Sequence, residues 1–303
     1  VNSLLDTLAL DLAAKVDAKI ANGETIGLLE GIPFGIKDVY MLQGTYTTAS
    51  SGLLRNYKSP YTATAIQKLL DAGAIPLVKE NCDSFGHGSS SENTIFGAVK
   101  NAINPELVAG GSSGGSAVNV AKEYTVFSIG GDTGGSIRQP AGYNHIYGLK
   151  PTYGRMSRNG LIAYASSFDQ IGSFTNSASD AKLIYELSAG EDEMDATTSS
   201  KEVTGDKKAF PEKLKIGLIS ECVHHEGLDP EVKAHLNEII EKLKDAGHEI
   251  TEVSFPFMDY MVPTYYVLTT AEASSNLARF DGVHYGYRSQ EAKGVEQTYV
   301  KSR

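Results

Sequence analysis

Two glycine–serine runs constrain this chain more than any other feature: GGSSGGSAVNVA from Gly110 and GGDTGGSIRQPA from Gly130. Each strings small residues directly ahead of a helix, and YTVFSIGG (124–131) between them reads as a buried strand. One helix and one strand separate Ser112 from Ser136. That is enough chain for a helix-to-strand return bringing both runs to the same end of a sheet.

The flanking text keeps the same rhythm. Leu5, Leu8, Leu12 and Val16 mark an amphipathic helix over 3–21 that ends near Asn22-Gly23. In IPFGIK, Ile32, Phe34 and Ile36 alternate with Pro33, Gly35 and Lys37. Lys37 is therefore expected on a strand, facing away from its aliphatic neighbours and beside residues small enough to let other backbone approach. TATAIQKLLDAGAIPLV predicts a helix, a glycine C-cap at Gly73 and a strand, a unit repeated at EKLKDAGHEITEV around Gly247. KIGLISE is a further strand. Asp229-Pro230 predicts a capped helix whose inner stripe is Val232, Leu236, Ile239, Ile240 and Leu243. The polar stretch from 191 to about 210 reads as a surface loop or linker. Alternating strands and helices predict an α/β fold with a mostly parallel sheet.

A serine among bare backbone amides has the look of a nucleophile beside an oxyanion hole, and glycine-rich loops also cradle phosphate. Neither run carries the lysine of a Walker A loop, and G-x-G-x-x-G is absent. Gly111-Ser112-Ser113-Gly114-Gly115 satisfies the loose nucleophile-elbow pattern, which would need Asp169 with His224 or His248 to complete a triad around Ser113. The alternative is one site built from both loops. A serine hydroxyl needs a base, and a lysine serves when burial keeps it neutral. Lys37 meets that condition, and Ser-Lys variants of the hydrolytic triad exist.

Composition narrows the classes. A net charge of −10 argues against a chain that grips nucleic acid by itself. Two cysteines, Cys82 and Cys222, and seven scattered histidines give no disulfide framework and no metal site. No run of apolar residues is long enough to span a membrane, so a cytoplasmic or organelle-matrix location is expected.

IPFGIKD, GGSSGGS and GGDTGGSIRQPA, in that order and with AIPLVKENCDSFGHGSSSEN and YGLKPTYGRMSRNGLIAYASSFDQIG between and after them, resemble the amidase signature family of serine amidohydrolases. The likeness runs from about residue 28 to 180. It implies a large mixed β-sheet sandwiched between α-helices. It also implies a Lys-Ser-Ser mechanism in which Ser136 is the nucleophile and Lys37 the general base. A bridging serine preceded by a cis peptide relays the proton, and the spacing makes this Ser112 rather than Ser113. The amides of Thr133, Gly134, Gly135 and Ser136 are then expected to form the oxyanion hole. Asp132 paired with Arg138, together with Ser113, is expected to brace the loops.

Later text, PTYYVLTTAEASSNLARFDGVHYGYRS, resembles the glutaminase subunits of tRNA-dependent amidotransferases, one branch of that family. That branch implies glutamine as substrate, with ammonia passed on to convert Glu-tRNA(Gln) to Gln-tRNA(Gln). It implies B- and C-type partner subunits, with tRNA, ATP and magnesium on the partner and no cofactor on this chain. A stand-alone amidase acting on another small amide is the alternative. Tyr265 or Tyr266, and the segment Phe85–Ser89 including Gly88, are expected to line the substrate pocket. Glu272, Asn276 and Arg279 recur at helical spacing and are expected to dock on the site or a partner. His87 and Gly131 depart from the family pattern, in which an apolar residue and a serine are common; glycine at 131 is expected to loosen the loop. The domain is expected to cover 1–303 and to lack N- and C-terminal parts of the family domain, including the clamps for the glutamine carboxylate and amine. Little activity is expected of these residues alone.

Overall fold

The computed structural model describes residues 1–203 and 211–303. They group into two units, 1–204 with 269–303 and 205–268.

The first unit is built on a six-stranded sheet. In chain order its elements are β1 (Ser3–Leu4), α1 (Asp6–Ala21), β2 (Pro33–Lys37), α2 (Thr64–Asp71), β3 (Ile75–Glu80), α3 (Gly114–Ala121), β4 (Phe127–Asp132), α4 (Arg138–Tyr143), β5 (Tyr147–Leu149), β6 (Gln170–Thr175) and α5 (Ala178–Ser188). The strand order is β1-β3-β2-β4-β6-β5. Only β3–β2 and β2–β4 pair in parallel; β1, β6 and β5 join antiparallel. The sheet is therefore mixed, correcting the mostly parallel sheet expected from alternation. The expected first helix likewise gives up Ser3 and Leu4 to pair with β3. The central strand begins at Phe127, because Tyr124 and Val126 stay exposed.

The two faces of this sheet differ in chemistry. Phe34, Ile36, Phe127, Ile129 and Ile171 point into the main core with Ile66 and Leu69 of α2 and Ile184 of α5, and Phe34 stacks on Phe127 at 5.0 Å. The opposite face carries Gly35, Lys37, Ser128 and Gly130, and there α3 and α4 pack through Ala117, Val120, Ile137, Ala141 and Phe174. Glycine lets α3 lie close: a Cβ on Gly115 would stand 2.3 Å from the Asn81 carbonyl oxygen. What crosses Gly35 is the Glu80 side chain rather than backbone, since a Cβ there would meet Glu80 Oε1 at 1.8 Å. Glu80 Oε1 accepts hydrogen bonds from Ser128 Oγ at 2.6 Å and Asn119 Nδ2 at 2.9 Å. Along β2 and β4 alternation has thus put the aromatic and aliphatic residues on one face and Gly35, Gly130, Lys37 and Ser128 on the other.

Gly73, at φ +91°, closes α2 by donating its amide to the Leu70 carbonyl. Residues 191–203 are a pinned surface loop: Arg155 donates to the Lys201 and Glu202 carbonyls, both at 2.8 Å, and Arg158 pairs with Asp195. The rest of the expected linker, from 204, lies outside the described residues.

The second unit contains β7 (Lys215–Ile219), α6 (Ser220–Val223), α7 (Pro230–Asp245) and β8 (Glu249–Val253), with β7 and β8 parallel. KIGLISE thus ends as a strand at Ile219. Asp229 caps α7 by accepting the Glu231 and Val232 amides. Of the expected stripe, Ile240 is buried and Leu236 and Leu243 half-buried, but Val232 and Ile239 are exposed. A two-stranded sheet is too narrow to cover the whole stripe. Helix α8 (Met258–Leu277) carries the boundary between the units at Leu268, and α9 (Gly294–Ser302) follows. Among the described residues no helix is long and apolar enough to cross a membrane.

Candidate active site

Lys37 ends β2 on the polar face, is 2% exposed, and donates from Nζ to Ser112 Oγ at 2.7 Å. Burial lowers its pKa below that of an ordinary lysine, and the neighbouring Cys82, Asp83, Asp169 and Asp132 restore part of the loss. Removing an ammonium from water disfavours its charged form, so this amine is tuned toward accepting a proton. The Cys82 thiol is itself pushed up to about 11 by burial and stays protonated at neutral pH.

Ser112 follows a cis Gly111–Ser112 peptide. Gly111 must be glycine, because a Cβ there would stand 2.4 Å from Asp83 Oδ2 and 2.8 Å from the Ser91 amide nitrogen. Ser91 ties the first loop together, donating to the Gly110 carbonyl at 2.9 Å and accepting the Gly114 amide at 3.0 Å. Ser113 ties it to the second: its Oγ donates to the Gly131 carbonyl at 3.0 Å and accepts the Gly131 amide at 3.3 Å. That geometry removes the nucleophile-elbow reading. Ser113 is spent on backbone, while His224 pairs with Glu252 and His248 accepts the Leu214 amide, both within the second unit.

Asp132 organises the second loop. Its Oδ1 accepts the Gly135 amide at 2.8 Å and Arg138 Nη2 at 3.0 Å; its Oδ2 accepts the Ile137 amide at 3.1 Å and Arg138 Nε at 3.1 Å. Burial alone would raise this carboxyl's pKa, but the Arg138 guanidinium and the Ile137 and Arg138 amides hold it below the usual value. One consequence is a correction: the Gly135 amide is committed to Asp132. Among the described residues, the Thr133, Gly134 and Ser136 amides have no such partner. Ser136, 8% exposed, sits in the turn before α4, and its hydroxyl makes no hydrogen bond among the described residues. The structure thus joins Lys37 to Ser112 but does not bond Ser112 to Ser136.

Lys37, Ser112, Gly86, Thr133, Tyr164 and Asp169 line a cavity of about 20 Å³, room for about one water. Phe85 and Gly86 line it too, while His87 and Gly88 are exposed; a Cβ on Gly88 would collide with Asp83 Cγ at 2.3 Å. His87 tilts against Tyr164 with ring centroids 4.7 Å apart. Gly131 needs no special backbone, and a Cβ there would meet Tyr40 Oη at 3.4 Å, an ordinary contact. Its amide and carbonyl are both held by Ser113, so glycine here does not loosen the loop.

Glu272 accepts the Ser167 amide at 3.0 Å, and Asn276 donates to the Tyr164 carbonyl at 3.2 Å. Both therefore brace the turn beside the cavity, whereas Arg279 turns back to the Asn276 carbonyl. Tyr265 and Tyr266 belong to the second unit, packed edge to face at 5.4 Å. Among the described residues, no group of three or more His, Cys, Asp or Glu could hold a metal ion. Tyr164 is a lining residue that sequence reasoning does not single out, and Asp169, considered there only as a triad partner of Ser113, instead accepts the Thr133 hydroxyl 36 residues back, a pairing that no local pattern announces.

The Amidase family model matches residues 1–303. A protein of Koribacter versatilis, named as the A-type subunit of glutamyl-tRNA(Gln) amidotransferase, is 52% identical over 298 residues, covering 97% of this chain and 62% of the relative. One of the same name from Heliobacterium modesticaldum is 48% identical, covering 97% and 61%. The crystal structure of the same-named protein from Thermotoga maritima superposes with a TM-score of 0.77 at 36% identity, covering 89% of this chain and 62% of that one. The peptide amidase of Stenotrophomonas maltophilia superposes at 0.78 and 26% identity, covering 100% and 66%. The chain spans about three fifths of the length of these curated relatives.

Proposed function

The chain belongs to the amidase family, and from that premise we propose that it carries the glutaminase chemistry of a tRNA-dependent amidotransferase. The carrying observation is the buried Lys37 Nζ bonded to Ser112 Oγ at 2.7 Å. Names of relatives about half identical to it point to the same role.

In this reading Ser136 attacks the side-chain amide carbonyl of glutamine while its proton passes to Ser112 and the Ser112 proton to Lys37. Hydrogen bonds of this kind tighten as substrate binds. The carbonyl oxygen, now negative, is held by the Thr133, Gly134 and Ser136 amides. Lys37 then returns its proton through Ser112 to the departing nitrogen, which leaves as ammonia with a glutamyl ester on Ser136. Water attacks that ester by the same relay, releasing glutamate. Asp132, Arg138 and Ser113 brace the loops. Gly88 belongs to the proposed substrate pocket. Ammonia, tRNA, ATP and magnesium are handled by B- and C-type partners in the cytoplasm or an organelle matrix, which fits the acidic charge of this chain.

The test is ammonia release from glutamine, with and without the co-expressed partner subunits, set against release from a peptide C-terminal amide. Partner-stimulated glutamine hydrolysis lost in Ser136→Ala and Lys37→Met is expected. Preference for the peptide amide, with no partner effect, would move the chain to the stand-alone amidases.

A further inference from the structure

The chemistry above leaves one buried carboxylate of the site without a task. Asp169 lies immediately before β6, is 4% exposed, and lines the cavity with Lys37. Its Oδ1 accepts the Thr133 hydroxyl at 2.6 Å and the Ala165 amide at 3.2 Å; its Oδ2 accepts the Tyr164 amide at 2.9 Å and the Ala165 amide at 3.1 Å. It therefore links the side chain of Thr133, the first residue of the oxyanion loop, to the turn that carries Tyr164.

The groups around Lys37 come from every packed element. Asp132 closes β4, with its charge already matched by Arg138. Cys82 and Asp83 follow β3, and Asp83 is occupied with the Ser91 and Asn93 amides. Glu80, paired in register with Lys37, turns its carboxyl to Ser128 and Asn119. Lys79 points to the other face, where it pairs with Asp38. Tyr40 donates its hydroxyl to the Gly130 carbonyl at 2.7 Å. Among the described residues Asp169 has no cationic side chain bonded to it, which sets it apart from Asp132, and it bonds Thr133 of the oxyanion loop, which sets it apart from Asp83 and Glu80.

We propose that Asp169 is a positioning residue with two jobs: it anchors Thr133 through the hydroxyl, and it supplies the counter-charge for the Lys37 ammonium formed when the serine proton arrives. The proposal rests on the Lys-Ser-Ser reading. Burial pushes the Asp169 carboxyl up, while Thr133, the Ala165 and Tyr164 amides and Lys37 draw it down. Its ionised form and charged Lys37 consequently support each other.

The experiment follows the rate at which phenylmethanesulfonyl fluoride labels Ser136 across pH in the intact protein, which requires no knowledge of the natural substrate. Labelling needs neutral Lys37, so the rate rises with pH along a limb set by that amine. Asp169→Asn removes a negative neighbour and lowers the Lys37 pKa, so the acid limb moves down by about one pH unit. Thr133→Val keeps the charge: its limb stays, its plateau falls about tenfold, and Thr133→Ser restores the plateau. A limb unmoved in Asp169→Asn overturns the counter-charge role, and a parental plateau in Thr133→Val overturns the anchor. A reciprocal measurement leaves position 169 intact: by carbon NMR, the Asp169 carboxyl titrates at higher pH in Lys37→Met than in the parent, and coincident titrations overturn the coupling. Should the parent fail to label at Ser136 at every pH, the Lys-Ser-Ser reading falls, and this proposal with it.

Discussion

Asp132→Asn isolates the carboxylate that holds the nucleophile loop. The aspartate gives Oδ1 to the Gly135 amide and Arg138 Nη2, and Oδ2 to the Ile137 and Arg138 amides and Arg138 Nε. Asparagine keeps one of these oxygens. With its oxygen toward Gly135, its NH₂ faces donors and strands the amide of fully buried Ile137. A buried amide without a partner costs about 1–3 kcal/mol. Flipping the side chain only moves the orphan to Gly135. The Arg138 side chain is 54% exposed, so water screens its share to about 0–1 kcal/mol. Together these predict a loss of about 1–4 kcal/mol at pH 7. Urea unfolding reads it as a lower midpoint at unchanged slope.

The sign with pH follows from the depressed carboxyl. Because the folded pKa lies below the unfolded one, its stabilisation is complete above about pH 4 and is lost as pH falls through the folded value. The gap between parent and Asp132→Asn therefore narrows in acid. Arg138→Met, which removes only the exposed arm, is expected to cost under about 1 kcal/mol. An Asp132→Asn protein within about 0.5 kcal/mol of the parent, the range of neutral surface changes, would refute the reasoning.

Two further substitutions test the sheet that carries the site. Gly35→Ala drives a methyl into the space of Glu80 Oε1 and is expected to cost about 1–3 kcal/mol; Gly35→Ala/Glu80→Ala must melt above Gly35→Ala alone, or the crossing is not what demands glycine. Lys79 and Asp38 form a buried pair at 3.3 Å, so Lys79→Met is expected to lose about 3–5 kcal/mol by stranding the carboxylate. The double variant Lys79→Met/Asp38→Asn should recover much of that in urea titrations, and strictly additive costs would dissolve the pair.

Local pattern made a large part of this protein legible. Period-two alternation put Lys37 opposite Phe34 and Ile36, the Gly73 and Asp229 caps follow from turn and cap chemistry, and the glycine runs marked loops where backbone must approach backbone. Each of these depends on neighbours within a few positions, which a sequence displays directly. The family likeness added the roles proposed for Lys37, Ser112 and Ser136.

What tertiary structure decided are the partners across long separations. Lys37 meets Ser112 75 residues on, and Thr133 meets Asp169 36 residues on; no periodicity announces either pairing. The mixed order of the sheet, Glu80 lying over Gly35, the Gly135 amide drawn to Asp132 and the half-covered stripe of α7 belong to the same class. Strand order sets which side chains share a face, and burial then sets which of them must bond to one another. A chain states its turns one residue at a time, but the neighbours of a buried charge exist only once the sheet has closed around it.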